Sequence, residues 1–241
     1  MQFSLDFPTN IIELITTSLT WGFLIYGIYY YYQKQNRKPK IWKACVAMLV
    51  GLFAFSLDFA ILGTIIKIPI LPIGVWLLLW YAKGKPGAWD KYRSFAWLGF
   101  IGNFIFVVAA IVSVLFHNLI YPKSDLETYI STMEEHAMLV AIHPSAEEVT
   151  FDSDSFKQHF SSFKEEPFDS IEWYNDINFN MEPADREEIF PYVLTGTSSK
   201  WGSGLPTIIY VERDGKGLIV DSSERQRYFR GEESFLKGGG K

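Results

Sequence analysis

The chain has a single cysteine, Cys45, in 241 residues. No intramolecular disulfide can form, so a disulfide-stapled scaffold is excluded. A secreted domain without disulfides is unusual where an oxidising folding system operates. A Gram-positive-type bacterial surface fits that absence, and so does a domain that needs no staple. Basic residues are missing from the start: the first Lys or Arg is Lys34, and Asp6 and Glu13 precede it. A secretory signal peptide opens on a basic region, so none is expected here. No lipidation motif is present, because Cys45 is internal and the C-terminus reads Gly-Gly-Gly-Lys. Common catalytic signatures are missing too: HExxH, GxSxG, a P-loop, and GxGxxG before a helix. No cofactor or metal is expected on these grounds, and the chain reads more as a binding protein than as an enzyme.

What remains is a chain of two halves. Through Asn118 there are ten Lys/Arg against four Asp/Glu, a net of +6. From Leu119 onward there are twelve against twenty-three, a net of −11. The first half is a string of apolar runs separated by basic loops. The second half has no apolar run long enough to cross a bilayer. The division predicts a transmembrane domain over 1–118 and an extracytoplasmic domain over 119–241.

Four apolar segments stand out: 11–32, 44–62, 64–82 and 95–117. A spanning helix needs about 20 mostly apolar residues. The third is the weakest, because Lys67, Pro69 and Pro72 lie at its beginning. Lys34, Arg37, Lys38, Lys40 and Lys43 form one basic cluster; Lys83, Lys85, Lys91 and Arg93 form another. The positive-inside rule puts both in the cytoplasm, which requires two crossings between them. The predicted fold class is a membrane all-α four-helix bundle, followed by a small soluble α+β domain with an antiparallel sheet. The N-terminus and everything after His117 then lie outside the cytoplasm, in a multi-pass cell-membrane protein. Aromatics at the segment ends agree: Tyr26 and Tyr29 to Tyr32, then Trp76, Trp80 and Tyr81, then Trp89, Tyr92 and Trp97. Such rings collect at membrane interfaces.

Asp58 is the intramembrane residue most in need of a reason. A charge there costs about 2.5–3.5 kcal/mol on insertion scales. Ala47, Gly51, Ala54 and Asp58, at helical spacing, predict one close-packing face. Asp58 is a candidate proton or cation site, or a contact to another membrane protein, or a hydrogen-bonded packing residue. Lys67 pairs with Glu13 in the same picture. Gly99, Gly102, Ser113 and His117 predict a similar stripe in the fourth segment, and Asn103 is a further polar residue there.

In the second half, Ser124-Asp125-Leu126-Glu127 is a capping box and predicts a helix over 124–138. Further helices are expected over 155–164 and 184–194. Strands are expected over 138–142, 148–151, 171–179 and 206–221, the last turning at Asp214-Gly215, a hairpin signal. The loop 195–205, with Gly196, Gly202 and Gly204, is expected to be the mobile one. His136, His143 and His159 with Glu135 or Glu147 match no zinc spacing, and Asp152 with Asp154 does not make a calcium loop. Ser198, Ser199 and Ser203 have no histidine near them in sequence. Arg225, Arg227 and Arg230, around Tyr228 and Phe229, are candidates for binding a ligand, anionic headgroup or acidic partner, or else they pair with the domain's own carboxylates. The net charge of −11 argues against nucleic acid as a partner.

The expected function is a multi-pass membrane protein in the lipid bilayer. Its acidic outer domain binds or senses a peptide or envelope ligand, and it acts through another membrane protein. Two alternatives are an ion- or proton-coupled transport component using Asp58 and an envelope enzyme with its site near 195–205. Immunity to a membrane-active toxin is not separable from the first reading by sequence.

Overall fold

The computed structural model describes residues 10–168, 188–222 and 225–238. The chain divides into two compact units, Met1–Leu119 and Ile120–Lys241.

The first unit opens on α1 (Ile11–Lys34). Asn10 caps it, its side-chain oxygen accepting from the Glu13 N–H at 2.8 Å. That bond satisfies one of the amides a helix start leaves unpaired. The unit closes with α4 (Ala88–Ile120). At about 1.5 Å per residue these helices are roughly 36 and 50 Å long. They are the two described helices long and apolar enough to cross a membrane.

The chain between them departs from the predicted bundle. It runs as α2 (Ile41–Gly51), β1 (Phe55–Ile61), β2 (Thr64–Leu71) and α3 (Ile73–Ala82). The predicted spans 44–62 and 64–82 are therefore corrected: each is part helix and part strand. At about 16 and 15 Å, α2 and α3 are roughly half the hydrocarbon thickness of a bilayer. The physical reason lies in the residues of the strands. Phe55, Phe59 and Ile61, then Thr64, Ile65, Ile66, Ile68 and Ile70, are aromatic or β-branched and suit a pleated surface. Ile61 pairs with Thr64, leaving the two-residue loop Leu62-Gly63. Both loop residues have positive φ, 53° and 78°. That is the requirement of the tight hairpin turn whose twist matches its strands. A mostly apolar run reads alike as helix or buried strand, which is why the sequence pattern did not separate them.

Glycines set the packing of this unit. A methyl on Gly51 would collide with the Ala96 carbonyl, and one on Gly99 with the Met48 carbonyl. So α2 and α4 cross backbone against backbone. Gly74, at the start of α3, lies as closely against the Val50 carbonyl. Its N–H donates to Phe53 O at 2.7 Å. Leu24, Ala44, Ala47, Met48 and Phe95 form the buried cluster around these crossings. Asn103 donates through Nδ2 to Leu52 O at 3.1 Å, covering a carbonyl at the end of α2. The predicted stripe Gly99, Gly102, Ser113 and His117 is buried along α4.

The second unit is built on an antiparallel sheet. Its strands are β3 (Thr132–Ala141), β4 (Thr150–Phe151), β5 (Lys164–Glu166), β6 (Tyr192–Ser198), β7 (Thr207–Val211), β8 (Gly217–Ser222), β9 (Gln226–Arg230) and β10 (Leu236–Lys237). Six of them lie in the order β3-β6-β7-β8-β9-β5, while β4 pairs with β10. One helix, α5 (Ser153–His159), is capped by Asp152. The core gathers Leu194, Ile209, Val211, Leu218, Val220 and Phe229 with Phe156, Phe163 and Phe235. These aromatic rings meet edge-on or tilted, as at 5.0 Å between Phe156 and Phe235.

Several local expectations for this unit change. The expected loop 195–205 is strand as far as Ser198, the end of β6. The expected helix 155–164 ends at His159 and is followed by a 3-10 turn, Phe160–Ser162, and by β5. The stretch 124–138 is a three-residue 3-10 turn, Leu126–Thr128, followed by β3, not one helix. Leu126, Tyr129 and Ile130 still enter the core, so the apolar spacing marked burial but not helicity. Residues 188–191 are not helical and lead into β6. The rest of the predicted helix 184–194 before them, and the predicted strand 171–179, lie outside the described residues.

The glycine crossings give a direct expectation. Gly99→Ala should lower the stability of the detergent-solubilised protein by about 1–3 kcal/mol, the usual cost of overpacking. Gly22→Ala, where a methyl meets open space, should leave it unchanged or slightly raised. Thermal denaturation of the two variants beside the natural chain measures this.

Candidate functional site

The three arginines singled out in the sequence meet carboxylates of their own unit. The Arg227 guanidinium lies 2.5 Å from Glu165, and Arg225 lies 3.5 Å from the same carboxylate. Strand pairing brings this about, because β5 lies antiparallel beside β9. Arg230 reaches Glu212 at 2.5 Å and Asp214 at 2.6 Å. The Tyr228 hydroxyl donates to Glu212 at 2.6 Å, and Arg230 donates to that hydroxyl at 2.8 Å. The result is a half-buried polar network in the sheet, with its charges matched. Burial raises the Glu212 carboxyl above its ordinary 4.5; Asp214 adds to this, and the bonds from Tyr228 and Arg230 offset only part. Burial also holds the Tyr228 phenol above its usual range, with the Glu212 carboxylate adding to the effect.

Asp58 lies in β1, past the end of α2, so the helical face through Ala47 and Gly51 stops before reaching it. Its cross-strand neighbour is Lys67 on β2, and both are exposed. Opposite charges facing each other across a pair of strands contribute about 0.2–1 kcal/mol. The hairpin thus supplies a local partner position for each charge.

The loop after β6 is tied down at several points. The Lys200 N–H donates to Thr128 O at 3.1 Å, and the Tyr121 hydroxyl donates to Trp201 O at 2.9 Å. Ser203 is buried, and its hydroxyl donates to that of Ser199 at 3.4 Å. Trp201 stands out at 81% exposed. The histidines are held apart: His143 bonds Ser145 through Nδ1 at 2.8 Å, and His159 lies 3.3 Å from Glu233. Among the described residues, no three His, Cys, Asp or Glu side chains are grouped to hold a metal ion.

The arrangement that the sequence reading missed is in the first unit. The chain leaves through α2 and β1 and returns through β2 and α3, so both basic loops finish at one end. There they enclose a cavity of about 510 Å³. Arg37, Lys43, Lys85 and Lys91 line it, with Trp42, Tyr81 and Tyr92. Val46, Ala47, Leu78 and Ala82 supply an apolar part of the wall. Gln35 donates through Nε2 to Lys91 O at 3.1 Å, fastening the α1–α2 loop to the start of α4. Lys85 donates to the Tyr81 hydroxyl at 2.5 Å and lies 4.0 Å from the centre of that ring. Among the described residues, no carboxylate lines the cavity. In sequence the cations indicate topology, and Tyr81 and Tyr92 belong to an aromatic belt. The signal available in the sequence was that both clusters must lie on one side, flanking a pair of antiparallel segments.

Comparison with protein-family models, with curated proteins and with solved structures found no match to this chain.

The Glu212 network has a pH consequence. A carboxyl with a raised folded pKa binds more protons folded than unfolded as pH rises past its ordinary value. Stability from this group is therefore fully present below about 4.5 and is lost as pH rises through the folded pKa. The stability of the natural chain relative to Glu212→Gln should decline as pH rises above about 4.5. Denaturant titrations of both proteins from acid to neutral pH measure the difference; one that is flat or rises with pH would contradict the assignment.

Proposed function

We propose that the protein is a multi-pass membrane protein acting through a second membrane protein, with an acidic extracytoplasmic domain that binds or senses a ligand. The observation that carries the partner is the β1–β2 hairpin. It is a two-stranded sheet, so both of its edges are open. Phe55, Leu57, Phe59, Ile65 and Ile70 on it are exposed at 40–69%. It is joined directly to apolar helices only about 16 Å long, which places its base at bilayer depth. Open strand edges are not tolerated against lipid, because their N–H and C=O groups have no partner there. Cover from another protein resolves both the open edges and the apolar faces.

The orientation rests on the two basic loops meeting at one end of the first unit. With that end in the cytoplasm, α1 and α4 each cross once. The N-terminus and the C-terminal domain are then outside. In that domain, Met138 and Val140 of edge strand β3 and Ile208 of β7 are exposed at 41–55%. An edge strand with exposed apolar side chains suits binding of another chain. The absence of catalytic signatures from the sequence favours binding over chemistry.

Photocrosslinking residues at Leu57 and Ile65, introduced in native membranes, should each give an adduct with one distinct membrane protein. An adduct of twice the chain's own mass, or none, would overturn the reading. For orientation, with Cys45 replaced, Lys38→Cys should resist an impermeant thiol reagent in intact cells. Thr150→Cys should react with it. The reverse pattern would invert the topology.

A further inference from the structure

We propose that the cavity between the two basic loops is a binding site for the phosphate headgroup of an anionic phospholipid. Four cations, Arg37, Lys43, Lys85 and Lys91, line one cavity. Among the described residues, none of the four is ion-paired to a carboxylate. This contrasts with Arg225, Arg227 and Arg230, each matched by a carboxylate of its own unit. Like charges held together repel, and an anion between them removes the repulsion while gaining charge-assisted hydrogen bonds. Gln35 holds the Lys91 backbone to the facing loop, so part of the site is fixed in place before anything binds.

The rest of the lining selects a lipid over a small soluble anion. Trp42 and Tyr81 are exposed at 60% and 64% beside the cations. Val46 and Leu78 continue the wall as an apolar surface on α2 and α3. A ligand with a charged head and an apolar tail matches that sequence of surfaces. Basic pockets between helices on the cytoplasmic side of a membrane are suited to such headgroups. The inference rests on the membrane reading of the first unit, which carbonate extraction of membranes tests by itself.

The test uses the full chain in a neutral detergent, titrated with phosphatidylglycerol or phosphatidylcholine and read by native mass spectrometry. Retention of phosphatidylglycerol is expected to exceed that of phosphatidylcholine by about tenfold or more, the worth of one charge-assisted bond. Arg37→Gln/Lys91→Gln should lose about that factor. Lys38→Gln/Arg93→Gln removes the same charge outside the cavity and should stay near the natural value. Equal losses in both variants would mean diffuse attraction and overturn the site. Displacement of the lipid by millimolar inorganic phosphate, with phosphate itself retained, would assign the cavity to a soluble anion and overturn the lipid. A photoactivatable phosphatidylglycerol needs no variant: labelling confined to the peptides around Trp42 and Tyr81 supports the site, and labelling spread along α1 and α4 refutes it.

Discussion

The first unit depends on the backbone contact between α2 and α4. At Gly51 and Gly99 neither helix has a side chain, so each places its peptide groups against the other. Dispersion between well-fitted atoms, small per pair, accumulates over such a crossing. In lipid such a pair would gain little from apolar burial as such, because lipid is as apolar as the partner helix, and close fit would supply the association. Once α2 is seated on α4, Gly74 brings α3 against the end of α2. The loop ahead of α2 and the loop after α3 are thereby drawn to the same end. The cavity lined by Arg37, Lys43, Lys85 and Lys91 follows from three glycines that do not line it.

The same crossing leaves a problem unsolved within the chain. The helices α2 and α3 are about half as long as a hydrocarbon layer is thick, and among the described residues the hairpin between them has no strand on either edge. In the second unit β3 and β5 are the edges of a six-stranded sheet whose inner strands are paired on both sides, and aromatic rings from α5 and Phe235 join its core. Its arginines Arg225, Arg227 and Arg230 are matched within the unit, through Glu165, Glu212 and Asp214. The cations around the cavity of the first unit have no such carboxylate partners among the described residues. That difference is the reason to look for partners, protein and lipid, at the first unit.

Much of the architecture was legible from residue pattern. The change of composition near residue 118 lies next to the division at Leu119 and Ile120. The two long apolar helices, the buried stripe on α4 and the strands turning at Asp214-Gly215 were all carried by spacing or turn chemistry. The hairpin after α2 was not. Leu62-Gly63 lacks the Asn-Gly or Asp-Gly signal, and a run that is mostly apolar shows neither period clearly. Nor was the first half of β3, whose end falls in the expected strand 138–142: Leu126, Ile130 and Met133 are spaced like a helix face, yet they reach the core from a short turn and a strand. Of the candidate residues, the arginines could be named, but their carboxylate partners lie on β5 and in the turn between β7 and β8 and could not.

The sequence by itself determined how charge and apolarity are distributed: a basic, apolar first half and an acidic, mixed second half. Those are local properties, set by what each residue gains or loses on leaving water. Tertiary structure decided which charges would be neighbours. Arg227 and Glu165 are 62 positions apart, and Lys43 and Lys91 are nearly as far apart in the chain. Salt screens exposed charges beyond about 10 Å, so the sign of each encounter is settled only when the strands and helices pack. Packing gave the arginines of the second unit their partners, and it gave the cations of the first unit one another.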